Sequence, residues 1–260
     1  MPSITVRCCG VFYDENRTER RRTTALSEPI LKPSVNPTIK ADAYFFDIDG
    51  TLMVSRDLVH WHAMHQAMLE VYGLDANFDG IPYHGKTDVA ILRMAVTRRG
   101  ISQATFADKL PAALGVVRRE VSANVAGLKP DVCASVPKLL AEIRERDKLL
   151  GVASGNLESV GWHKLTAAKI RQFFTCGSFG DNFELRVAIF DHAVSSAKGR
   201  MGNSASVCFF GDTPDDIHAA RKVNAQIVAV GTGIFPVAEL AHFQPDFCCQ
   251  SCTEMLGRLQ

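Results

Sequence analysis

Asp-Ile-Asp-Gly-Thr at residues 47–51 directly follows the apolar run Ala-Tyr-Phe-Phe at residues 43–46. The apolar run predicts a buried strand, and Gly50 would let the chain turn sharply where that strand ends. Successive strand residues point to opposite faces, so Asp47 and Asp49 can reach one site only if the strand ends here. One carboxylate can attack phosphorus and the other can handle the leaving-group proton, which is what phosphoryl transfer through a covalent intermediate needs.

Two later apolar runs also end in polar residues of functional types. Residues 149–153 run into Ser154 and Gly155, and residues 207–211 run into Asp212 and, four residues later, Asp216. A serine at a strand end, with backbone N–H groups beside it, can hold a phosphoryl oxygen. Carboxylate oxygens are the ligands that Mg²⁺ prefers. Asp215 is expected to be solvated or to cap the helix that follows.

The order D-x-D-G-T, apolar run plus serine, then G-D-x-x-x-D resembles the haloacid dehalogenase-like superfamily of aspartate-nucleophile hydrolases over about residues 41 to 250. The resemblance implies that Asp47 is the nucleophile and that Asp49 donates and accepts the proton. It also implies that Ser154 and Gly155 bind phosphate. For Mg²⁺ it implies a site formed by Asp47, the backbone carbonyl of Asp49, Asp212 and Asp216.

The charge balance of this site supports a cation. Four carboxylates converging on one place would repel one another and raise each other's pKa values, and a divalent ion plus one basic side chain would remove that penalty. The family usually supplies a lysine, but no Lys-Pro pair lies between Ser154 and Asp212. Arg186 falls at about the expected spacing and carries a forked donor set that suits phosphate. Lys198 is the rival for the same role.

The rest of the chain predicts an α/β fold. Strands are expected near residues 149–153, 174–178, 207–211 and 226–230, and helices near 158–171, 184–198 and 215–223. This alternation predicts a Rossmann-like parallel sheet with helices on both faces. Ligands of such sheets bind beyond the carboxyl ends of the strands, where Asp47, Ser154 and Asp212 all fall.

About a hundred residues of helical pattern separate the first strand from the Ser154 strand, far more than a direct crossover needs. This insertion resembles the α-helical cap of one class of the superfamily. We therefore predict a core domain at 41–56 and 147–260 and a cap at 57–146. The loop His84 to Asp88 resembles one found in phosphoglycolate phosphatase-like caps, which implies that Lys86 and Thr87 face the substrate. The alternative is that Thr87 caps the helix that follows it.

The composition of the chain bears on its partners and on its location in the cell. The formal charge of +1 gives no reason to expect nucleic acid or an anionic membrane as a partner, and no apolar run reaches the roughly eighteen residues of a spanning helix. The eight cysteines are not arranged as a disulfide framework or a zinc site, which predicts a reducing compartment and a cytoplasmic protein. Residues 1–40 are expected to form a flexible tail, with an organellar transit peptide as the alternative. The oligomeric state stays open.

The sequence therefore predicts a Mg²⁺-dependent phosphatase that acts on a small phosphorylated metabolite through an aspartyl phosphate. A sugar-phosphate mutase would keep the same core residues and is the main alternative. A 2-haloacid dehalogenase lacks the second aspartate, and a phosphonate-cleaving relative has a small residue there, so Asp49 counts against both. A non-catalytic binding protein would have no physical reason to retain mutually repelling carboxylates.

Overall fold

The computed structural model describes residues 38–260. The strands are β1 (Ala43–Phe46), β2 (Met53–Ser55), β3 (Pro130–Val132), β4 (Leu149–Ser154), β5 (Cys176–Phe179), β6 (Val207–Gly211), β7 (Gln226–Val230) and β8 (Phe247–Cys249). The α-helices are α1 (Val59–Tyr72), α2 (Asp88–Thr97), α3 (Gln103–Ala123), α4 (Val136–Glu145), α5 (Glu158–Ala167), α6 (Arg186–Met201), α7 (Pro214–Lys222) and α8 (Val237–Ala241).

Six strands form one parallel sheet in the order β5-β4-β1-β6-β7-β8, so the predicted α/β fold class is confirmed. β1 lies between β4 and β6, which places the ends of these three strands side by side. The predicted helix 158–171 is shorter than expected, because Lys169 adopts a left-handed conformation with φ 58°. Its amide donates to the carbonyl of Thr166, and this turn ends α5.

The central strand has apolar side chains on both faces. Tyr44 and Phe46 lie in one core cluster, which also contains residues of α4, whereas Ala43 and Phe45 lie in a second cluster with residues of α6 and α7. Phe46 stacks on Phe210 of β6 with ring centroids 4.4 Å apart. Each fully buried phenylalanine contributes roughly 1.5–3 kcal/mol by leaving water. This burial fixes β1, and with it the position of the acidic turn that follows.

Helices α1, α2 and α3 form the insertion between the antiparallel strands β2 and β3. Their buried side chains form a third apolar cluster, to which Leu157 and Val160 at the start of α5 also belong. The inserted helices therefore share apolar packing with a helix that follows β4. The short strands β2 and β3, which the helical pattern of this region did not predict, connect the insertion to the sheet.

The packing of two segments bears on the predicted domain boundaries. The cap was expected to end at residue 146, but Leu139, Leu140 and Ile143 of α4 pack in the same cluster as β1 and β4. We therefore propose that the insertion ends before β3. Ile39 was assigned to the tail, yet it is 3% exposed and pairs with Leu259. Residues 1–37 of the predicted tail lie outside the described residues.

Between residues 38 and 260, no helix is both long and apolar enough to cross a membrane. The six cysteines in this part of the chain are free thiols: Cys133, Cys176, Cys208, Cys248, Cys249 and Cys252.

Candidate active site

The turns after β1, β4, β6 and β7 border a cavity of about 170 Å³ at the carboxyl edge of the sheet. Helices α1 and α2 of the insertion cover it from the other side. Seven residues singled out from the sequence line this cavity: Asp47, Asp49, Lys86, Ser154, Gly155, Arg186 and Asp212. The parallel sheet brings together those that follow β1, β4 and β6, because its strands all end at the same edge. Lys86 reaches the cavity from the insertion, and Arg186 reaches it from the start of α6.

The turn after β1 requires glycine at residue 50. Gly50 has φ 86°, a conformation that residues with a Cβ rarely adopt. A Cβ at this position would also lie 2.3 Å from Oδ2 of Asp212. Gly233, in the turn after β7, approaches the same oxygen even more closely, since its added Cβ would lie 1.8 Å away. Both glycines therefore leave room for the carboxylate of Asp212.

Asp47, Asp212 and Asp216 are buried, and each offers an oxygen within 4.8 Å of the others. Burial raises the pKa of Asp47 to about 6, with further upward contributions from Asp216 and Asp49 that oppose the lowering effect of Arg186. Burial and the charges of Asp216 and Asp47 hold the pKa of Asp212 well above its usual value. Carboxylates in this situation gain stability from a bound cation.

The donor set fits Mg²⁺, a hard cation that takes oxygen ligands. Asp47 and Asp212 line the cavity, whereas Asp216 is fully buried and lies outside its lining. Oδ1 of Asp216 accepts from Arg186 at 2.8 Å, and its Oδ2 accepts from the backbone amide and the hydroxyl of Thr213. Asp47 and Asp212 are therefore better placed as ligands, and Asp216 is better placed to hold Arg186 and the turn after β6.

Arg186 is the cation beside the candidate nucleophile. It begins α6, is 8% exposed, and places Nη2 2.8 Å from Oδ2 of Asp47. The charges of Asp216 and Asp47 outweigh burial and raise the pKa of Arg186 above its usual value. Lys198, the rival for this role, lies exposed in the last turn of the same helix.

The end of β4 carries a small polar network. The side-chain amide of Asn156 donates to Oγ of Ser154 at 2.8 Å and to Oδ2 of Asp49 at 2.8 Å. Because Oγ of Ser154 accepts this hydrogen bond from Asn156, the Ser154 hydroxyl can donate its own hydrogen to an oxygen of a ligand. Gly155 is required by close packing, because an added Cβ would lie 2.5 Å from the carbonyl oxygen of Lys86.

Lys164 on α5 also lines the cavity, and it is not among the residues predicted from the sequence. Its Nζ lies 2.6 Å from Oδ2 of Asp49 and 2.9 Å from Oδ1 of Asn156, and the residue is 3% exposed. Burial raises the pKa of Asp49, but the charge of Lys164 and the hydrogen bonds from Lys164 and Asn156 outweigh it and hold the pKa below its usual value. The signal was present: Lys164 lies on the helix face that also buries Val160 and Leu165, where an unpaired lysine would be costly.

The loop before α2 brings the insertion into contact with the turn after β4. The amide of Asp88 donates to the carbonyl of Gly155 at 2.9 Å, and the Asp88 carboxylate accepts from the amide of Leu157 at 2.8 Å. His60 of α1 contacts the same carboxylate at 3.1 Å. These bonds hold the insertion over the cavity.

The contacts of this loop bear on two expectations. Of the two roles left open for Thr87, they favour capping over facing the substrate, because Thr87 is fully buried and lies outside the cavity lining. Its Oγ1 accepts from the amide of Ala90 at 3.1 Å, which caps α2, and donates to the carbonyl of Glu184 at 2.8 Å. Lys86 does line the cavity, where it forms an ion pair with Asp215. Asp215 was expected to be solvated or to cap α7, and its partner is instead this loop.

The family model of haloacid dehalogenase-like hydrolases matches residues 44–230, and the chain belongs to this family. The match spans β1 to β7 and includes the acidic turn, the Ser154 turn and the turn after β6. The family resemblance and the hydrolase class predicted from the motifs are thereby confirmed. Among proteins with curated descriptions, none matches the chain significantly.

Solved structures share the fold at low sequence identity. A protein described as a predicted phosphoglycolate phosphatase from Haemophilus somnus 129pt has a TM-score of 0.61 and 17% identity, with 83% of this chain and 96% of that chain covered. CbbY from Rhodobacter sphaeroides, in complex with phosphate, has a TM-score of 0.61 and 17% identity, with coverage of 84% and 96%. A variant of CbbY in complex with xylulose-(1,5)bisphosphate has a TM-score of 0.60 and 17% identity, with coverage of 81% and 94%. At this identity the likeness establishes the fold alone.

Proposed function

We propose that this protein is a Mg²⁺-dependent phosphatase that hydrolyses a phosphate monoester through a phosphorylated Asp47. One observation carries the proposal: the buried carboxylate of Asp47 lies beside Asp212 and Asp216, with the Arg186 guanidinium 2.8 Å away. A carboxylate that contacts a fixed cation, beside acidic groups that can hold a divalent ion, is suited to attack an electrophile that is itself anionic.

In the first half of the reaction, an oxygen of Asp47 would form a bond to phosphorus while the bond between phosphorus and the ester oxygen breaks. Asp49 would give a proton to the departing oxygen, which leaves as an alcohol. Arg186, the Ser154 hydroxyl and the backbone at Gly155 would bind the oxygens of the transferring group. Mg²⁺, when bound by Asp47 and Asp212, would neutralise phosphoryl charge and reduce its repulsion from the attacking carboxylate.

In the second half, water would attack phosphorus and release phosphate, which regenerates Asp47. Asp49 would accept the proton from this water. Its contacts with Lys164 and Asn156 suit this role, because they favour the ionised carboxylate. This transfer leaves Asp49 protonated, as it must be to donate to the ester oxygen in the next turnover.

A screen of phosphate monoesters with Mg²⁺ would test this proposal, with free phosphate and isomerised product measured in the same samples. We expect Mg²⁺-dependent release of phosphate that EDTA abolishes. Ca²⁺ should support activity poorly because its looser coordination would misplace the nucleophile. Full release of phosphate in EDTA would contradict the Mg²⁺ dependence, and formation of an isomer without free phosphate would favour the mutase.

A further inference from the structure

Every lysine and arginine side chain that lines the cavity, among the described residues, already contacts a carboxylate. Lys86 pairs with Asp215, Lys164 pairs with Asp49 at 2.6 Å, and Arg186 contacts both Asp47 and Asp216. A phosphoryl group can share Arg186 with Asp47. The positive charges of the two lysines, however, are neutralised by aspartates of the protein before any substrate binds.

The lining as a whole carries more acid than base. Five aspartates but three lysine or arginine side chains border the cavity in the described part of the chain. A divalent cation beside Asp47 and Asp212 would bring this lining to neutrality. This cation and Arg186 would then stabilise one anionic group of the substrate, the phosphoryl group. A second anionic group on the substrate would add to an uncompensated negative charge.

Apolar side chains form part of the wall on the insertion side of the cavity. Trp61 and Met64 of α1 and Ile91 of α2 border the cavity from the insertion, and Val54 and Ile234 border it from the core. Trp61 is fixed by ring contacts with Phe78 and Tyr83, whose centroids lie 4.2 and 5.1 Å from its own. Apolar walls favour apolar parts of a ligand, and a few polar groups fix its orientation.

His84 also lines the cavity and adds no positive charge to it. Its ring lies against Tyr83, with centroids 4.2 Å apart. Burial lowers the pKa of His84 below its usual value, so the imidazole is neutral at neutral pH. The apolar part of the insertion wall therefore holds no cationic subsite. Lys86 and His60 also line the cavity from the insertion, but each already contacts an aspartate.

We propose that the substrate of this site is a phosphate monoester of an uncharged, largely apolar alcohol, and not a bisphosphate or a phosphorylated carboxylic acid. This inference rests on the phosphatase function proposed above and specifies its leaving group. It would separate this chain from the related structure that holds xylulose-(1,5)bisphosphate.

Binding of two isosteric phosphonates tests the inference without any turnover. 3-Methylbutylphosphonate and 3-phosphonopropionate have the same shape, but the first ends in an isopropyl group and the second in a carboxylate. Calorimetry with the full-length protein and Mg²⁺ at neutral pH should show that the isopropyl compound binds more tightly by about tenfold or more. Equal affinities, or tighter binding of the carboxylate, would overturn the inference.

The corresponding phosphate esters provide a rate comparison. The ester of 3-methylbutanol should have a kcat/KM higher by about tenfold or more than the ester of 3-hydroxypropionate, because the two differ mainly in the carboxylate. A preference for the carboxylate ester would overturn the inference and leave the phosphatase function intact. Failure to release phosphate from any monoester would count against the phosphatase function, and the phosphonate comparison would still test the binding preference.

A single added positive charge in the cavity should weaken the preference for the isopropyl compound. Ile234 borders the cavity and is 40% exposed, so Ile234→Lys can be accommodated without burying the new ammonium. It should strengthen binding of 3-phosphonopropionate relative to the isopropyl compound by about tenfold. Phe243→Lys adds the same charge at a 47% exposed position outside the cavity lining and should leave the ratio unchanged. The same shift in both variants would show that general surface charge, and not the cavity, sets the ratio, which would overturn the inference.

Discussion

The ammonium group of Lys164 lies 2.6 Å from Oδ2 of Asp49, although the two residues are 115 positions apart in the chain. Asn156 bridges them, since it donates to Asp49 and accepts from Lys164. The side chain of Asp49 is 42% exposed toward the cavity, whereas that of Lys164 is 4% exposed. Lys164 therefore contacts Asp49, the candidate proton donor, from its more buried side. We regard Lys164 as a positioning residue for Asp49.

Replacing Lys164 by methionine should keep the packing of α5 and remove the ammonium that orients Asp49. We expect kcat for phosphate release to fall by about 10²-fold, the lower range for loss of general acid–base catalysis, with KM changed little. Lys164→Arg should recover part of the rate. Lys138→Met, at an exposed position of α4, is the control for loss of a lysine. A change in KM alone would show that Lys164 serves substrate binding instead.

Replacing Arg186 tests the cation beside Asp47. Arg186→Ala should cost roughly 2–4 kcal/mol of transition-state stabilisation in kcat/KM, the scale for loss of a donor in a preorganised site. Arg186→Lys should recover part of this, since it restores the charge but not the fork. Lys198→Ala, on the exposed end of the same helix, should have little effect. A larger loss from Lys198→Ala than from Arg186→Ala would show that the cation was assigned wrongly.

The acidic cluster should make the metal-free protein less stable as pH rises. The pKa of Asp47 is about 6 in the folded protein against 3.8 for an ordinary aspartate, so between these values the folded state binds more protons than the unfolded state. Its contribution to the free energy of unfolding therefore falls as pH rises from about 4 to about 6.

Chemical denaturation in EDTA at several pH values would measure this effect. Relative to Asp47→Asn, the wild-type protein should lose stability on the order of 2 kcal/mol across that pH window. Mg²⁺ at neutral pH should restore stability to the wild type more than to the variant. A difference between the two proteins that is independent of pH in EDTA would contradict the raised pKa.

Thr87 should behave as a capping residue. Thr87→Ala removes the cap of α2 and the bond to Glu184, and should lower the free energy of unfolding by about 1–2 kcal/mol. KM should stay nearly constant, because the hydroxyl lies outside the cavity. Ser102→Ala removes the corresponding cap of α3 and is the matched control. A large rise in KM for Thr87→Ala alone would restore a substrate role.

The sequence was most informative where polar residues follow buried strands. Asp47, Ser154 and Asp212 could be placed at one edge of a sheet because strand ends are local features of a sequence with an apolar run before them. Arg186 could be placed only by spacing within the family pattern, since it lies on a helix whose contacts depend on the whole fold.

Lys164, Thr87 and α4 show what the sequence left undetermined. The partner of a buried lysine is set by how α5 packs beneath the turn after β1, which no local pattern encodes. Thr87 satisfies both a capping pattern and a loop motif, and its burial decides between them. The helical pattern of α4 was read correctly, but its packing against the sheet and not the insertion depends on the pairing of β2 with β3.

Phosphate release by the wild-type protein and by Asp47→Asn, measured with Mg²⁺ and a panel of phosphate monoesters, tests the proposed mechanism most directly. Asp47→Asn keeps the size of the side chain and removes the attacking charge. Asp191→Asn makes the same change at an exposed position of α6 and serves as the control. We expect the wild type and Asp191→Asn to release phosphate and Asp47→Asn to lose about 10³-fold or more in kcat. A rate for Asp47→Asn close to that of the wild type would contradict the proposed covalent mechanism.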